Sequence, residues 1–200
     1  MLVLASASPR RHELLRNAGI PFFVQSTDIP EVLHPREAPR TFAERLAREK
    51  ALAIFRKRRP QDFVLGADTV VVVEEQILGK PRDAADAARM LGLLSGRKHR
   101  VITGVCLVGP QLRSEDQPQS GFEDVRSETT EVTMDALSDE DVRSYVSTGE
   151  PMDKAGAYAI QGRASRWVSR IEGDYFNVVG LPVSLVYKML RAHGVAWTET

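Results

Sequence analysis

Two neighbouring arginines lie where a short apolar strand gives way to a predicted helix. Leu2-Val3-Leu4-Ala5 is typical of a buried strand, and Ser8 and Pro9 mark a helix start, as N-cap and first helical residue. Arg10 and Arg11 fall in the first helical turn, where unpaired N–H groups and the helix dipole favour an anion. Guanidinium groups bind phosphate through paired hydrogen bonds. The segment fits a phosphate site, and it fits equally well two arginines that pair with surface carboxylates.

An aspartate follows the next apolar segment. Asp68 comes directly after residues 63–67, which are typical of a buried strand. Open α/β sheets bind their ligands at the carboxyl ends of strands. The valines of residues 70–73 make a simple solvent contact a poor explanation for this position. Asp68 is therefore a candidate reactive carboxylate at a strand end, and an aspartate that caps a turn is the alternative.

Three lysines supply further positive charge, and they are Lys50, Lys80 and Lys154. Lys80 lies in Gly79-Lys80-Pro81, and Lys154 lies in Asp153-Lys154-Ala155-Gly156. A single lysine of this kind is more often solvated than functional. Together with the two arginines, however, the three lysines suit a triphosphate, whose charge is large and spread along an extended ligand.

A glutamine in a glycine-containing segment offers the groups that read a nucleobase. Gly156 and Gly162 allow the backbone to approach a ligand closely. The amide of Gln161 has both a donor and an acceptor, as the edge of a pyrimidine requires. The alternative is a plain loop with Tyr158 in the core.

Composition and charge exclude several other functions. The 27 Lys and Arg residues balance 27 Asp and Glu residues, so the chain has no general positive field for nucleic acid or an anionic membrane. The one cysteine, Cys106, lies in an apolar run, which excludes a disulfide framework and predicts a cytoplasmic protein. The apolar run at residues 2–5 is too short for a signal peptide, and we expect no membrane span. The histidines show no spacing typical of a metal site or a catalytic triad.

Strands and helices alternate along the chain, which predicts an α/β fold around a mixed, partly parallel central sheet. Thr41 with Glu44 matches a capping box, and Ser138 with Asp141 caps a later helix. Residues 167–171 and 175–179 are predicted to form a hairpin, and residues 110–124 a polar loop.

These motifs, in this order and over essentially the whole chain, resemble the Maf family of nucleotide pyrophosphatases. The matching segments are Leu4-Ala5-Ser6-Ala7-Ser8-Pro9-Arg10-Arg11, Arg48-Glu49-Lys50-Ala51, Gly66-Ala67-Asp68-Thr69-Val70-Val71, Gly79-Lys80-Pro81, Leu94-Ser95-Gly96, Thr103-Gly104-Val105, Asp153-Lys154-Ala155-Gly156-Ala157-Tyr158, Ile160-Gln161-Gly162 and Asn177-Val178-Val179-Gly180-Leu181-Pro182. The resemblance implies one Maf-like domain over residues 1–200, with helices flanking the sheet and a cleft between two lobes.

The resemblance also implies an activity. It implies hydrolysis of a nucleoside triphosphate at the α-phosphate, giving a monophosphate and pyrophosphate, with a divalent cation such as Mg²⁺ or Mn²⁺. It assigns the proton acceptor to Asp68 and substrate choice to Arg10, Thr69 and Gln161, a combination that resembles the branch preferring dTTP and UTP. It assigns phosphate contacts to Ser8, Arg11, Lys50, Lys80 and Lys154. It is compatible with a homodimer.

The expected mechanism combines charge neutralisation with an activated water. Surrounding cations should lower the pKa of Asp68 below its usual value of about 3.9, which makes it a weak base unless a metal acidifies the water. The family often has an acidic pair after its second strand, and here that stretch leaves Asp28 and Glu31 without an assigned role. The alternative function is a regulatory protein that binds nucleotide and restrains septum formation without turnover.

Overall fold

The computed structural model describes residues 1–59, 61–110 and 121–197. The strands are β1 (Leu2–Leu4), β2 (Phe23–Val24), β3 (Phe63–Val73), β4 (Gln76–Leu78), β5 (Lys98–Gly109), β6 (Phe122–Met134) and β7 (Val168–Glu172). The α-helices are α1 (Pro9–Asn17), α2 (Pro39–Phe55), α3 (Ala84–Leu94), α4 (Asp139–Ser147), α5 (Tyr175–Val179) and α6 (Val183–Ala192). Short 3-10 helices cover Glu150–Asp153, Ala155–Ala157 and Arg163–Trp167. None of the helices in these ranges is both long and apolar enough to cross a bilayer.

Within the described residues, seven strands form one sheet. The order is β2-β1-β3-β5-β6-β7, and β4 pairs with β3. β1 runs parallel to both β2 and β3, whereas β4 is antiparallel to β3 and β7 is antiparallel to β6. The predicted α/β fold with a mixed, partly parallel sheet flanked by helices is confirmed.

The described chain forms two compact units. The first comprises Met1–Asp68, Thr103–Glu128 and Gly180–Thr200, and the second comprises Thr69–Ile102 and Thr129–Val179. Strands β3, β5 and β6 each contribute residues to both units, and the boundary in β3 falls between Asp68 and Thr69.

Small residues pack helix α2 closely against the strands of the first unit. Ala47, Ala51 and Ile54 of α2 share a buried cluster with Val64 of β3 and with residues of β1 and β5. Cys106 of β5 belongs to the same cluster and is fully buried, which fits its apolar surroundings in the sequence. The close approach also depends on glycine in the strand. A Cβ on Gly66 would overlap the carbonyl oxygen of Ala47 and lie 2.8 Å from the amide nitrogen of Ala51.

We expect Gly66→Ala to lower the free energy of unfolding by about 3 kcal/mol, because backbone atoms of α2 cannot move aside as a flexible side chain can. Gly92→Ala in α3 is the matched control, since its Cβ would meet no atom of another described element within 4 Å. That change should leave stability equal or raise it by roughly 0.5–1 kcal/mol, because alanine is the better helix former. Denaturant unfolding of both variants checks the prediction, and equal stability of the two variants would contradict it.

Two local predictions were wrong. Residues 175–179 form α5 rather than the second strand of a hairpin, because the Asp174 carboxylate accepts from the amide of Phe176 at 2.7 Å and caps the helix start. Helix α2 begins at Pro39, after Ala38, and not at Thr41, since proline at the first position sets the helical φ angle.

Other local predictions are confirmed or untested. The helix cap at Ser138 is confirmed, with reciprocal hydrogen bonds to Asp141 that form a capping box. Most of the predicted loop over residues 110–124 falls on residues 111–120, which lie outside the described part of the chain. Its C-terminal end is already strand, since β6 begins at Phe122.

Candidate active site

The sequence predicted Asp68 at the end of a strand, and that prediction was wrong. In the structure Asp68 lies inside strand β3. β3 is continuous from Phe63 to Val73, because the valines after Asp68 extend the strand. β1 pairs with β3 only as far as Leu65, and β4 pairs with it only from Val71 onward. Asp68 therefore falls between these two paired stretches. Asp68 thus lies where the pairing of β3 with β1 has ended and its pairing with β4 has not begun, and not where β3 itself ends.

A lysine from helix α2 bridges two carboxylates at this position. Lys50 Nζ lies 2.6 Å from Asp68 Oδ1 and 2.6 Å from Glu31 Oε1. Asp68 is 6% exposed, whereas the Glu31 side chain is 47% exposed. Lys50, predicted only as a phosphate contact, thus pairs with Asp68 in the structure. Glu31, which had no assigned role, joins them through the same ammonium group.

The pKa of Asp68 is shifted in the direction opposite to the one expected. Burial raises the pKa above its ordinary value, and the charges of Lys50 and Arg11 only partly oppose that increase. The expectation of a lowered pKa counted the cations and not the loss of water around the carboxylate. A raised pKa makes the ionised carboxylate a better proton acceptor, because base strength increases with pKa.

Arg11 joins three segments of the first unit around Asp68. Its Nε donates to the Gly180 carbonyl at 2.8 Å, and its Nη1 donates to the Ala67 carbonyl at 2.9 Å and to Ser6 Oγ at 3.1 Å. Burial lowers the pKa of this guanidinium. Arg11 therefore supports the backbone next to Asp68, and its contact with phosphate stays a prediction.

The turn before α1 is organised by Ser6, which belongs to the first motif but had no assigned role. Ser6 Oγ accepts from the amide of Ser8 at 3.3 Å, and its carbonyl contacts His12 Nε2 at 2.8 Å. Ser8 occupies the N-cap position as predicted, but its side chain makes no capping hydrogen bond. The first turn of α1 contains no acidic residue and carries Arg10, which is half-buried. This end of α1 keeps the anion-favouring character that the sequence indicated.

The other predicted site residues belong to the second unit. The amide of Gly156 donates to the Gly79 carbonyl at 3.0 Å, which brings the segment of Lys80 beside that of Lys154. Lys154 Nζ donates to the Glu150 carbonyl at 2.7 Å and to the Asp153 carboxylate. Lys80 is exposed.

Two of the three residues expected to determine substrate choice also lie in this unit, whereas the third, Arg10, lies in the first. Gln161 is exposed, and Thr69 is half-buried in β3. The structure therefore groups Ser8, Arg10, Arg11, Lys50 and Asp68 in the first unit and Thr69, Lys80, Lys154 and Gln161 in the second. Their roles toward a substrate stay predictions.

The carboxylate pair fits a divalent cation that also binds substrate. Across residues 1–59, 61–110 and 121–197, no three His, Cys, Asp or Glu side chains gather as a metal site made of protein ligands alone would require. Mg²⁺, however, is usually held by one or two carboxylates together with substrate phosphates. Asp68 and Glu31 already converge on one cationic group, the Lys50 ammonium, so their donor chemistry suits such a cation.

Comparison with known protein sequences gives matches over almost the whole chain. The family described as Maf-like protein matches residues 1–193. A dTTP/UTP pyrophosphatase of Koribacter versatilis is 56% identical over 97% of this chain and 95% of its own length. A dTTP/UTP pyrophosphatase of Symbiobacterium thermophilum is 51% identical over 96% and 94%. Among solved structures, the Ham1 protein of Staphylococcus aureus is 16% identical with a TM-score of 0.46, over 66% of this chain and 71% of that one.

Proposed function

The chain belongs to the Maf-like protein family, and we propose that it hydrolyses nucleoside triphosphates, dTTP and UTP above all, to the monophosphate and pyrophosphate. The pyrophosphatases at 51–56% identity support this activity. Within the molecule, one observation carries the proposal. A buried carboxylate of raised pKa, Asp68, contacts Lys50 at 2.6 Å beside the helix start that carries Arg10 and Arg11.

Asp68 is the proposed acceptor of the proton that leaves the attacking water. Burial moves the pKa of Asp68 upward, toward neutral pH. A general base is most effective when its pKa lies near the pH at which the enzyme works. Lys50 holds Oδ1 at 2.6 Å and favours the ionised form before the reaction. The two residues together keep an unprotonated base in one orientation.

The remaining cations are proposed to neutralise the triphosphate. Phosphoryl transfer depends on placement and on stabilisation of the charge carried by the phosphate oxygens. Proposed partners of these oxygens are Ser8, Arg11, Lys50, Lys80 and Lys154. Arg10 and Thr69 are proposed to take part in substrate choice with Gln161.

We further propose that Glu31, beside Asp68, holds a divalent cation, Mg²⁺ or Mn²⁺, together with substrate phosphates. Such an ion, when bound, lowers the pKa of a water molecule and offsets phosphate charge. A nucleotide substrate and a lone buried cysteine support a cytoplasmic location. The homodimer stays a prediction.

Product analysis tests the proposed function. The purified protein with Mg²⁺ or Mn²⁺ should convert UTP to UMP and pyrophosphate, both resolved by anion-exchange chromatography. Orthophosphate and UDP as primary products would refute the assignment.

Base selection by Gln161 gives a second measurable result. Uracil and thymine present an N3–H donor beside a carbonyl, which an amide can match with its acceptor and its donor. Cytosine presents an amine and a bare acceptor, so the same amide meets mismatched partners. We expect Gln161→Ala to lower the ratio of kcat/KM for UTP over CTP. The loss should correspond to ~1–3 kcal/mol of discrimination free energy, because the matched hydrogen bonds are lost.

The matched control for this prediction is Gln76→Ala, which removes an exposed amide from β4 in the same unit. It should leave the ratio of kcat/KM for UTP over CTP unchanged. An equal loss of kcat/KM for both nucleotides in Gln161→Ala would show that Gln161 has no part in base choice.

A further inference from the structure

The segment that carries Gln161 is anchored on one side by a buried tyrosine. Tyr145 of α4 is fully buried, and its hydroxyl accepts from the amide of Ala159 at 3.1 Å. The same hydroxyl donates to Glu150 Oε1 at 2.8 Å. Burial raises the pKa of Tyr145, so the hydroxyl keeps the proton that it donates. A tyrosine from another element thus fixes the backbone two residues before Gln161.

A glutamate anchors the segment on the other side. The carboxylate of Glu150 accepts from the amide of Arg163, at 3.0 Å to Oε1 and 3.3 Å to Oε2. A Cβ on Gly162 would overlap Glu150 Oε1 and lie 2.6 Å from its Cδ. Glycine at this position therefore permits the carboxylate to reach the backbone. The amides at positions 159 and 163, which bracket Gln161, are bound by side chains that also bind each other.

This arrangement fixes the backbone of Gln161 and leaves its amide group exposed. An amide discriminates between bases only if its donor and acceptor are held in a set direction, because a freely turning group can match either pattern. We propose that Tyr145 and Glu150 are positioning residues that determine base selectivity by holding the segment of Gln161. The proposal rests on the proposed function, and specifically on base choice by Gln161.

The first test compares nucleotides in the full-length enzyme. Tyr145→Phe removes one hydroxyl and should lower the ratio of kcat/KM for UTP over CTP about tenfold, the value of one matched hydrogen bond. In a Gln161→Ala background the same change should have no further effect on the ratio. Tyr187→Phe is the control, because that exposed hydroxyl only accepts from Arg191 at 3.2 Å in the described structure. Equal losses for both nucleotides, or losses that add to those of Gln161→Ala, would overturn the proposal.

Glu150 offers a graded second variant. Glu150→Gln retains an oxygen that can accept from Tyr145 and Arg163, so it should preserve more selectivity than Glu150→Ala. Thermal unfolding of each variant verifies the fold. Equal selectivity of the two folded Glu150 variants would contradict the positioning role.

A measurement without turnover separates this proposal from the proposed function. Amide hydrogen exchange at Ala159 and Arg163 should accelerate about tenfold in Tyr145→Phe, because both amides depend on the Tyr145–Glu150 pair. Unchanged exchange at both amides would overturn the proposal, even in an inactive protein. Absence of pyrophosphate release by the wild type, with exchange accelerated as expected in the variant, would instead contradict the proposed function.

Discussion

Asp68→Asn is expected to lower kcat by ~10²–10⁴-fold, the usual contribution of a general base. Asparagine has nearly the same shape and can keep a contact with Lys50, but it cannot accept a proton at neutral pH. Substrate affinity should therefore change far less than turnover. Steady-state rates of pyrophosphate release from UTP provide the measurement, together with thermal unfolding to verify the fold.

The matched control for this prediction is Asp62→Asn. Asp62 is also buried in the first unit and paired with a cation, since its carboxylate lies 3.0 Å from Arg58. That variant should lose stability and keep its turnover number, because Asp62 belongs to no part of the proposed site. Near-normal turnover in well-folded Asp68→Asn would remove Asp68 from the mechanism.

Lys50→Met should lower kcat/KM by ~10²–10³-fold, the range for loss of one preorganised charge donor. The change leaves Asp68 and Glu31 without the ammonium that lies 2.6 Å from each carboxylate. Because Lys50 is the main charge that opposes the burial effect, the pKa of Asp68 should rise further. The acidic limb of the profile of kcat/KM against pH should therefore move to higher pH.

An exposed lysine provides the control for Lys50. Lys98 pairs with Glu172 at 2.9 Å, and its side chain is 57% exposed. Exposed ion pairs contribute little energy, so Lys98→Met should leave both the rate and the pH profile unchanged. A pH profile of Lys50→Met that coincides with the wild type would contradict the proposed electrostatic role.

The sequence predicted several features that local chemistry controls. Pro9 marks the first residue of α1 because its ring sets the helical φ angle, and Ser138 with Asp141 marks the start of α4 because their reciprocal hydrogen bonds cap that helix. The long apolar runs predicted the central strands, because buried strands consist mainly of apolar residues. The fold class followed from their alternation with helices.

Features that depend on distant contacts were not predictable. The aromatic and β-branched residues of α5 favour a strand, but the buried side chain of Asn177 donates to the Val101 carbonyl at 2.9 Å and to Thr130 Oγ1 at 3.0 Å. Those partners lie far away in the sequence. These tertiary contacts act together with the local cap by Asp174 to hold a helix that local propensity does not favour.

The candidate site shows the same division. Their motifs made Asp68 and Lys50 candidate site residues, but the contact of Glu31 with Lys50 depends on how α2 and the preceding segment fold. The predicted direction of the pKa shift at Asp68 was wrong. Burial raises this pKa, and burial is a property of the folded chain. Residue type indicates which charges are present, whereas only the structure gives the degree of desolvation.

Hydrolysis of UTP in water enriched in oxygen-18 tests the central claim most directly. If water attacks the α-phosphorus, as proposed, one labelled oxygen should appear in UMP and none in pyrophosphate, as determined by mass spectrometry of the separated products. Label in pyrophosphate would mean attack at the β-phosphorus. That result would contradict the proposed reaction.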